Sequence, residues 1–179
     1  TGLNITSSTT FEVNNGVPNV TINVPSSNSY YGDGFNMDLS VVGNNLSDSY
    51  YNITNSSGAL VLENSNNSIS TESFSWSDYV NISNSSFVDG VYTLTTFSNN
   101  TFGNNGTSST NFNVDKTYPE LNGATVNPGT VYNNETVIFT VNVSDTNLNY
   151  SKIYLSANFS GNWTNYTMSN ESTVTFNYS

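Results

Sequence analysis

The sequence contains no cysteine, histidine or arginine, and its only basic side chains are Lys116 and Lys152. Each absence removes a class of chemistry. Without Cys and His the usual ligands of zinc, haem and iron–sulfur clusters are missing, and no Ser-His-Asp or Cys-His triad can be assembled. Two cations stand against thirteen carboxylates, a net charge of -11. There is then no basic surface to neutralise phosphates, which excludes nucleic-acid binding. No run of eighteen apolar residues occurs, so this segment has no membrane-spanning helix. The lack of disulfides leaves the compartment open, because secreted domains of sufficient size do without them. Acidic residues are also too sparse to coat a surface in the halophilic manner, since only 8% of residues are charged.

What the sequence does have is aromatic mass and amide-hydroxyl polarity. Twelve Tyr and ten Phe supply a core that a disordered acidic tail would lack. A length of 179 residues fits one large domain or two of moderate size. Asn, Ser and Thr make up about half the chain, with 34 Asn among them. The acceptor pattern N-x-[ST] begins at Asn4, Asn19, Asn45, Asn52, Asn55, Asn66, Asn81, Asn84, Asn99, Asn105, Asn134, Asn142, Asn149, Asn158, Asn162, Asn165, Asn170 and Asn177. Ser and Thr together number 52 in 179, so 34 asparagines would produce about ten such patterns by chance against the eighteen present. The excess predicts N-glycan acceptors on an extracellular, solvent-facing chain. The competing explanation is a polar β-surface that uses these residues for turns and edges. Asn142 sits between Val141 and Val143, on the wet face of its strand by alternation.

Organisation comes from an internal repeat. Residues 6–13, TSSTTFEV, and 107–114, TSSTNFNV, share six of eight positions at an offset of 101. The same offset aligns Pro18 with Pro119 and Tyr31 with Tyr132. After one inserted residue, Phe35, Met37, Leu39 and Val41 align with Val137, Phe139, Val141 and Val143. Apolar/polar alternation, strict at 35–42 and 135–143, marks strands there, and further strands are expected at 18–24, 59–63, 69–76, 91–97, 107–114, 151–159 and 171–178. Turn formers such as Asn15-Gly16, Asn105-Gly106 and Pro128-Gly129 lie between them. No ten-residue helical stripe with caps appears. The pattern predicts an all-β chain of tandem immunoglobulin-like β-sandwiches.

The string VDKTYPELNGATVNPGTVYNNETVIFTVNVSD at 114–145 resembles the opening of Ig-like repeats in archaeal and bacterial cell-surface proteins. Val114, Asp115, Pro119, Ser144 and Asp145 carry the match, and Asp89-Gly90-Val91-Tyr92-Thr93-Leu94 resembles their penultimate strand, whose Tyr belongs to the core. That resemblance implies rods of stacked domains in glycosylated surface filaments or S-layers, of archaeal style. Three segments follow: 1–14, a final-strand-like piece; 15–115, an Ig-like domain; and 116–179, an Ig-like domain lacking two strands. The incomplete domain is completed either by sequence beyond the fragment or by segment 3–13 of another chain, as strand complementation in pilins works. Self-association would then run head to tail.

Chemistry elsewhere is thin. Asp145-Thr146-Asn147-Leu148-Asn149 begins like a calcium loop but has Tyr150 at the glycine position and Ser156 at the closing carboxylate. An Asx-rich turn is the plainer expectation. Asp33, Asp38 and Asp115 are further oxygen donors without a diagnostic spacing. The carboxylates are scattered singly, so a glycoside hydrolase pair is not expected, and no cofactor beyond covalent glycans is implied. No lysine falls within 17–114, which excludes a Lys–Asn cross-link there, and Lys152 is expected on the surface. Trp76 is expected in the core; Trp163, between the Asn162 and Asn165 acceptors, fits either a core or a sugar-facing position. The expected role is therefore a structural subunit of a heavily N-glycosylated filament, pilus-like thread or surface layer. A cell-surface adhesin or carbohydrate-binding module and a viral structural glycoprotein are the alternatives, and no enzyme activity is expected.

Overall fold

The computed structural model describes residues 7–13, 15–130, 136–159, 161–170 and 175–178, with side chains of Tyr150, Asn170 and 175–178 outside that description. The chain divides into two compact units, Thr1–Lys116 and Thr117–Ser179. Among the described residues it is all strand and turn, apart from one 3-10 turn at Tyr150–Lys152. Several small sheets result, consistent with tandem β-sandwich-like domains.

Among the described residues the first unit holds ten strands. They are β1 (Asn19–Val24), β2 (Tyr30–Tyr31), β3 (Gly34–Asn36), β4 (Asp38–Val42), β5 (Leu46–Asn55), β6 (Leu60–Asn66), β7 (Ser73–Trp76), β8 (Tyr79–Asn81), β9 (Gly90–Asn100) and β10 (Asn105–Val114). Strands β1, β4 and β7 make one sheet, β2-β10-β9-β5-β6 a second, and β3-β8 a short ribbon. The alternating run at 35–42 is thus two strands. The chain changes partner at Met37, whose N–H donates to the Asp78 carbonyl, so that Phe35 pairs with Val80 and Leu39 with Trp76. Likewise only 73–76 of the expected strand at 69–76 is strand, although Ile69 is buried.

One apolar cluster draws on all three sheets. Leu39 and Trp76 come from the first, Tyr51, Ile53, Leu94 and Phe112 from the second, and Phe35 and Val80 from the ribbon. This is what period-two alternation delivers when inner faces meet. Aromatic edges fill the centre: Phe112 packs edge-on to Phe35 at 5.3 Å and stacks on Tyr92 at 5.7 Å. Trp76 lies in the core as expected, its indole Nε1 donating to Ser49 Oγ at 3.0 Å. Towards the far end of β9 the buried side chains become Thr96, Ser98 and Asn100. Their polar atoms are satisfied, for example Ser98 Oγ on the Asp48 carbonyl at 2.8 Å and Asn100 Nδ2 on the Gly16 carbonyl at 3.1 Å. A buried hydroxyl without such a partner would cost about 1–3 kcal/mol. Ahead of β9, Tyr92 reaches back to Val88, its hydroxyl accepting from the N–H and donating to the carbonyl, both at 2.9 Å.

Among its described residues the second unit has six strands: β11 (Glu120–Asn127), β12 (Ile138–Ser144), β13 (Tyr154–Ala157), β14 (Thr164–Thr167), β15 (Ser169–Asn170) and β16 (Thr175–Tyr178). They form the sheet β11-β12-β16-β15 and the pair β13-β14. Its pairing register reproduces the first unit's. In β1 and β4, Asn19 faces Val42, Val20 faces Val41 and Thr21 faces Ser40; in β11 and β12, Glu120 faces Ser144, Leu121 faces Val143 and Asn122 faces Asn142. Offsets of 101 and 102 convert one set into the other, and an irregularity follows in both. Strand β12 then takes β16 as β4 takes β7, and β13 pairs with β14 as β5 with β6. Counterparts of β9 and β10 are absent from the described part of this unit. Its core is accordingly small, with Val143 and Met168 buried and Phe139, Val141, Ile153 and Leu155 half-covered.

Candidate functional site

Of the expected acceptor asparagines, Asn4 and Asn134 lie outside the described residues, and Asn170 and Asn177 are described by backbone only, in β15 and β16. None of the other fourteen is buried. Asn19, Asn45, Asn81, Asn84, Asn105, Asn142, Asn149, Asn158, Asn162 and Asn165 are exposed, while Asn52, Asn55, Asn66 and Asn99 are half-buried. Alternation explains the two within long strands, since Asn52 and Asn99 point away from the inward Tyr51, Ile53 and Ser98. Asn142 is likewise exposed beside the buried Val143.

Five acceptors share a local geometry. The Oδ1 atoms of Asn55, Asn66, Asn81, Asn84 and Asn149 each accept from the backbone N–H of the serine two residues on, at 3.0–3.2 Å. In Asn55 and Asn149 the hydroxyl of that serine donates to the same oxygen, at 2.7 and 2.8 Å. The sequon's two fixed residues are thereby joined in an Asx turn. That turn engages the amide oxygen and leaves the nitrogen, which a glycan would occupy, outside this bond.

The calcium-like stretch behaves as the plainer expectation had it. Asp145 Oδ1 accepts from Asn147 N–H, and Asn149 caps the 3-10 turn. Asp33, Asp38 and Asp115 do not converge: Asp38 accepts from Asn23 Nδ2 at 3.2 Å, and Asp115 N–H donates to the Tyr31 carbonyl. Among the described residues no three His, Cys, Asp or Glu side chains cluster as a metal site would require, and no helix is long and apolar enough to cross a membrane. Lys152 is exposed in the 3-10 turn. Lys116 is tied to the loop ahead of β9, its Nζ donating to the Phe87 carbonyl at 2.8 Å and its N–H to Asp89 Oδ1. Asp78 collects two donors, the Tyr51 hydroxyl at 2.8 Å and Asn64 Nδ2 at 3.0 Å. Burial, and then the adjoining Asp78 carboxylate, push the Tyr51 phenol well above its ordinary range.

Two surface features stand out in the second unit. Trp163 is 75% exposed. The other is an open groove of about 260 Å³. Leu121 and Val126 of β11 line one side, Phe139 and Val141 of β12 the floor, and Ile153 and Leu155 the other side. Its residues are the inward faces of strands whose first-unit counterparts are covered.

No family model matches the chain, and no curated protein matches it. Two solved structures are similar to it over part of their length. CopC from Methylosinus trichosporium OB3b is 16% identical with a TM-score of 0.38, over 54% of this chain and 94% of that one. A tetra-tandem repeat in the extending region of a large adhesion protein is 22% identical with a TM-score of 0.41, over 92% of this chain. The chain spans 40% of the length of that adhesion-protein structure.

Proposed function

We propose that this chain is a structural section of an extracellular cell-surface filament or layer, made of tandem Ig-like β-sandwiches that carry N-linked glycans and associate head to tail. The in-register repeat of the two units carries this reading. Two copies of one β-unit in register are organised for span and contact. Its role is mechanical rather than catalytic. The Ig-like assignment draws on the sheet membership of β1, β4 and β7 against β5, β6, β9 and β10, and on Tyr92. Its hydroxyl binds the backbone four residues upstream, as the tyrosine corner at the start of the penultimate strand does in such sandwiches.

The mechanism follows from the ladders. Stretching a unit loads many backbone hydrogen bonds, and the β5-β9-β10 block is the longest set. Glycans on exposed asparagines would hydrate a surface that has few charges of its own. Solvent access at all fourteen described acceptors supports that part of the proposal. Glycopeptide mass spectrometry of native material tests it: sugar on several of the exposed acceptors is the expected result, and bare asparagine at every sequon overturns the glycoprotein reading. A carbohydrate-binding role is favoured by one observation, the exposure of Trp163. Titration with oligosaccharides that perturbs Trp163 fluorescence, and loses its effect in Trp163→Ala, would establish that second role.

A further inference from the structure

We propose that the stacked rings of Tyr50 and Phe97, on the outer face of the sheet β2-β10-β9-β5-β6, seat the first sugars of the chain's own glycans on Asn52 and Asn99. The proposal rests on the glycoprotein reading above and adds what those two glycans touch.

Strand geometry places the four residues together. On a strand, the residue two before an acceptor asparagine lies on the same face, about 7 Å along it. In Tyr50-Tyr51-Asn52 and in Phe97-Ser98-Asn99 that residue is aromatic. Tyr51 and Ser98 are buried, so the flanking pairs face outward. Strands β5 and β9 are antiparallel neighbours in which Tyr50 lies opposite Phe97, and the two rings stack with centroids 4.6 Å apart and planes at 14°. The opposed strand directions send the acceptors to opposite ends of the stack, Asn52 opposite Thr95 and Asn99 opposite Asp48. Each ring therefore has its own acceptor beside it.

The surroundings suit a sugar. Tyr50 is 40% exposed on a face whose other outward residues include Thr93, Thr95, Thr107 and Ser109. A pyranose has an apolar C–H face to lay on a ring and a rim of hydroxyls for polar neighbours. Beside Tyr50 lies an open cleft of about 390 Å³, walled by Tyr50 on one side and by Glu63, Asn64 and Ser65 of β6 on the other. Glu63 lies opposite Asn52 and Ser65 opposite Tyr50, so a sugar on Asn52 that leans towards its ring enters this cleft. A cross-strand aromatic pair also steadies the sheet by itself. That role alone does not require an acceptor two residues after each ring. Across the chain, Tyr50, Tyr79, Phe97, Tyr132 and Trp163 stand two before an acceptor, where a 13% aromatic content would give eighteen acceptors about two such neighbours.

The test uses the full glycosylated chain. Glycopeptide mass spectrometry gives the occupancy of Asn52 and Asn99, which should both carry sugar. Nuclear Overhauser contacts should join first-sugar protons to the Tyr50 and Phe97 rings, with those protons shifted upfield by the ring currents. Asn52→Gln and Asn99→Gln, each removing one glycan, should lower the melting temperature of the first unit by about 4 °C, the scale of one ring contact in a domain of this size. Asn19→Gln, at an exposed strand acceptor with Val17 two residues before it, should not. In a Tyr50→Thr background, shown by circular dichroism to be folded, Asn52→Gln should have no further effect, which separates the sugar contact from loss of the stack. Occupied acceptors without Overhauser contacts, or an Asn52→Gln shift of equal size in both backgrounds, would overturn the seat and leave the glycoprotein reading standing. Bare Asn52 and Asn99 beside sugar on other acceptors would do the same. Bare asparagine at every sequon would overturn both.

Discussion

Tyr92→Phe isolates the contribution of one hydroxyl to the first unit. The ring keeps its place, stacked on Phe112 at 5.7 Å and tilted against Phe87 at 5.2 Å, so no cavity term enters. What is lost is the pair of 2.9 Å bonds to Val88, one accepted from its N–H and one donated to its carbonyl. Each is worth about 1 kcal/mol net, and a backbone group left without a partner costs about 1–3 kcal/mol. The Val88 side chain is 65% exposed, so water can reach some of what Tyr92 releases. That sets the expected loss near the sum of two net bonds, about 2 kcal/mol. With a urea m-value of about 1–3 kcal/mol/M, the midpoint should fall by roughly 1 M at unchanged slope. Trp76 fluorescence reports the transition, provided the work is done in a Trp163→Phe background so that the exposed indole adds no signal. A loss below about 0.5 kcal/mol would refute the argument, since it would mean that the hydroxyl is exchanged for water without penalty.

Three further outcomes follow from the same geometry. Gly106→Ala should destabilise the first unit by about 1–3 kcal/mol, because its Cβ meets Pro18 backbone and β10 must lift from β1. Gly58→Ala is the matched contrast: nothing lies within 4 Å, so only the left-handed φ of 80° costs, about 1–2 kcal/mol by chemical denaturation. Tyr51 should make stability alkali-sensitive. Its folded pKa is raised, so its stabilising contribution is complete below about pH 10 and is lost as pH rises towards the folded value. Parallel pH titrations of melting temperature should therefore converge above pH 10 for Tyr51→Phe and the unmodified chain, and a constant gap would refute the linkage.

Period-two alternation and the 101-residue offset made much of this architecture legible. The offset even carried the register, since Val20 with Val41 and Leu121 with Val143 are the same pair written twice. Alternation could not show the break at Met37, because a strand that changes sheets keeps its inward and outward phase; only the Asp78 carbonyl receiving its N–H reveals the exchange. The two-residue β2 and the β3-β8 ribbon are too short for any periodic signal. Strand β14, TNYT, reads as acceptor sequence rather than as strand because its outward residues are Thr and Asn, and only Tyr166 turns inward. For the asparagines, sequence supplied the motif but not the exposure. For Trp163, whose two neighbouring acceptors were compatible with either position, only three-dimensional packing could decide.

In the first unit β9 and β10 bring Tyr92, Leu94, Phe112 and Val114 to the core. The described part of the second unit has the same opening strands in the same register, with Val143 and Met168 buried and Phe139, Val141, Ile153 and Leu155 half-covered.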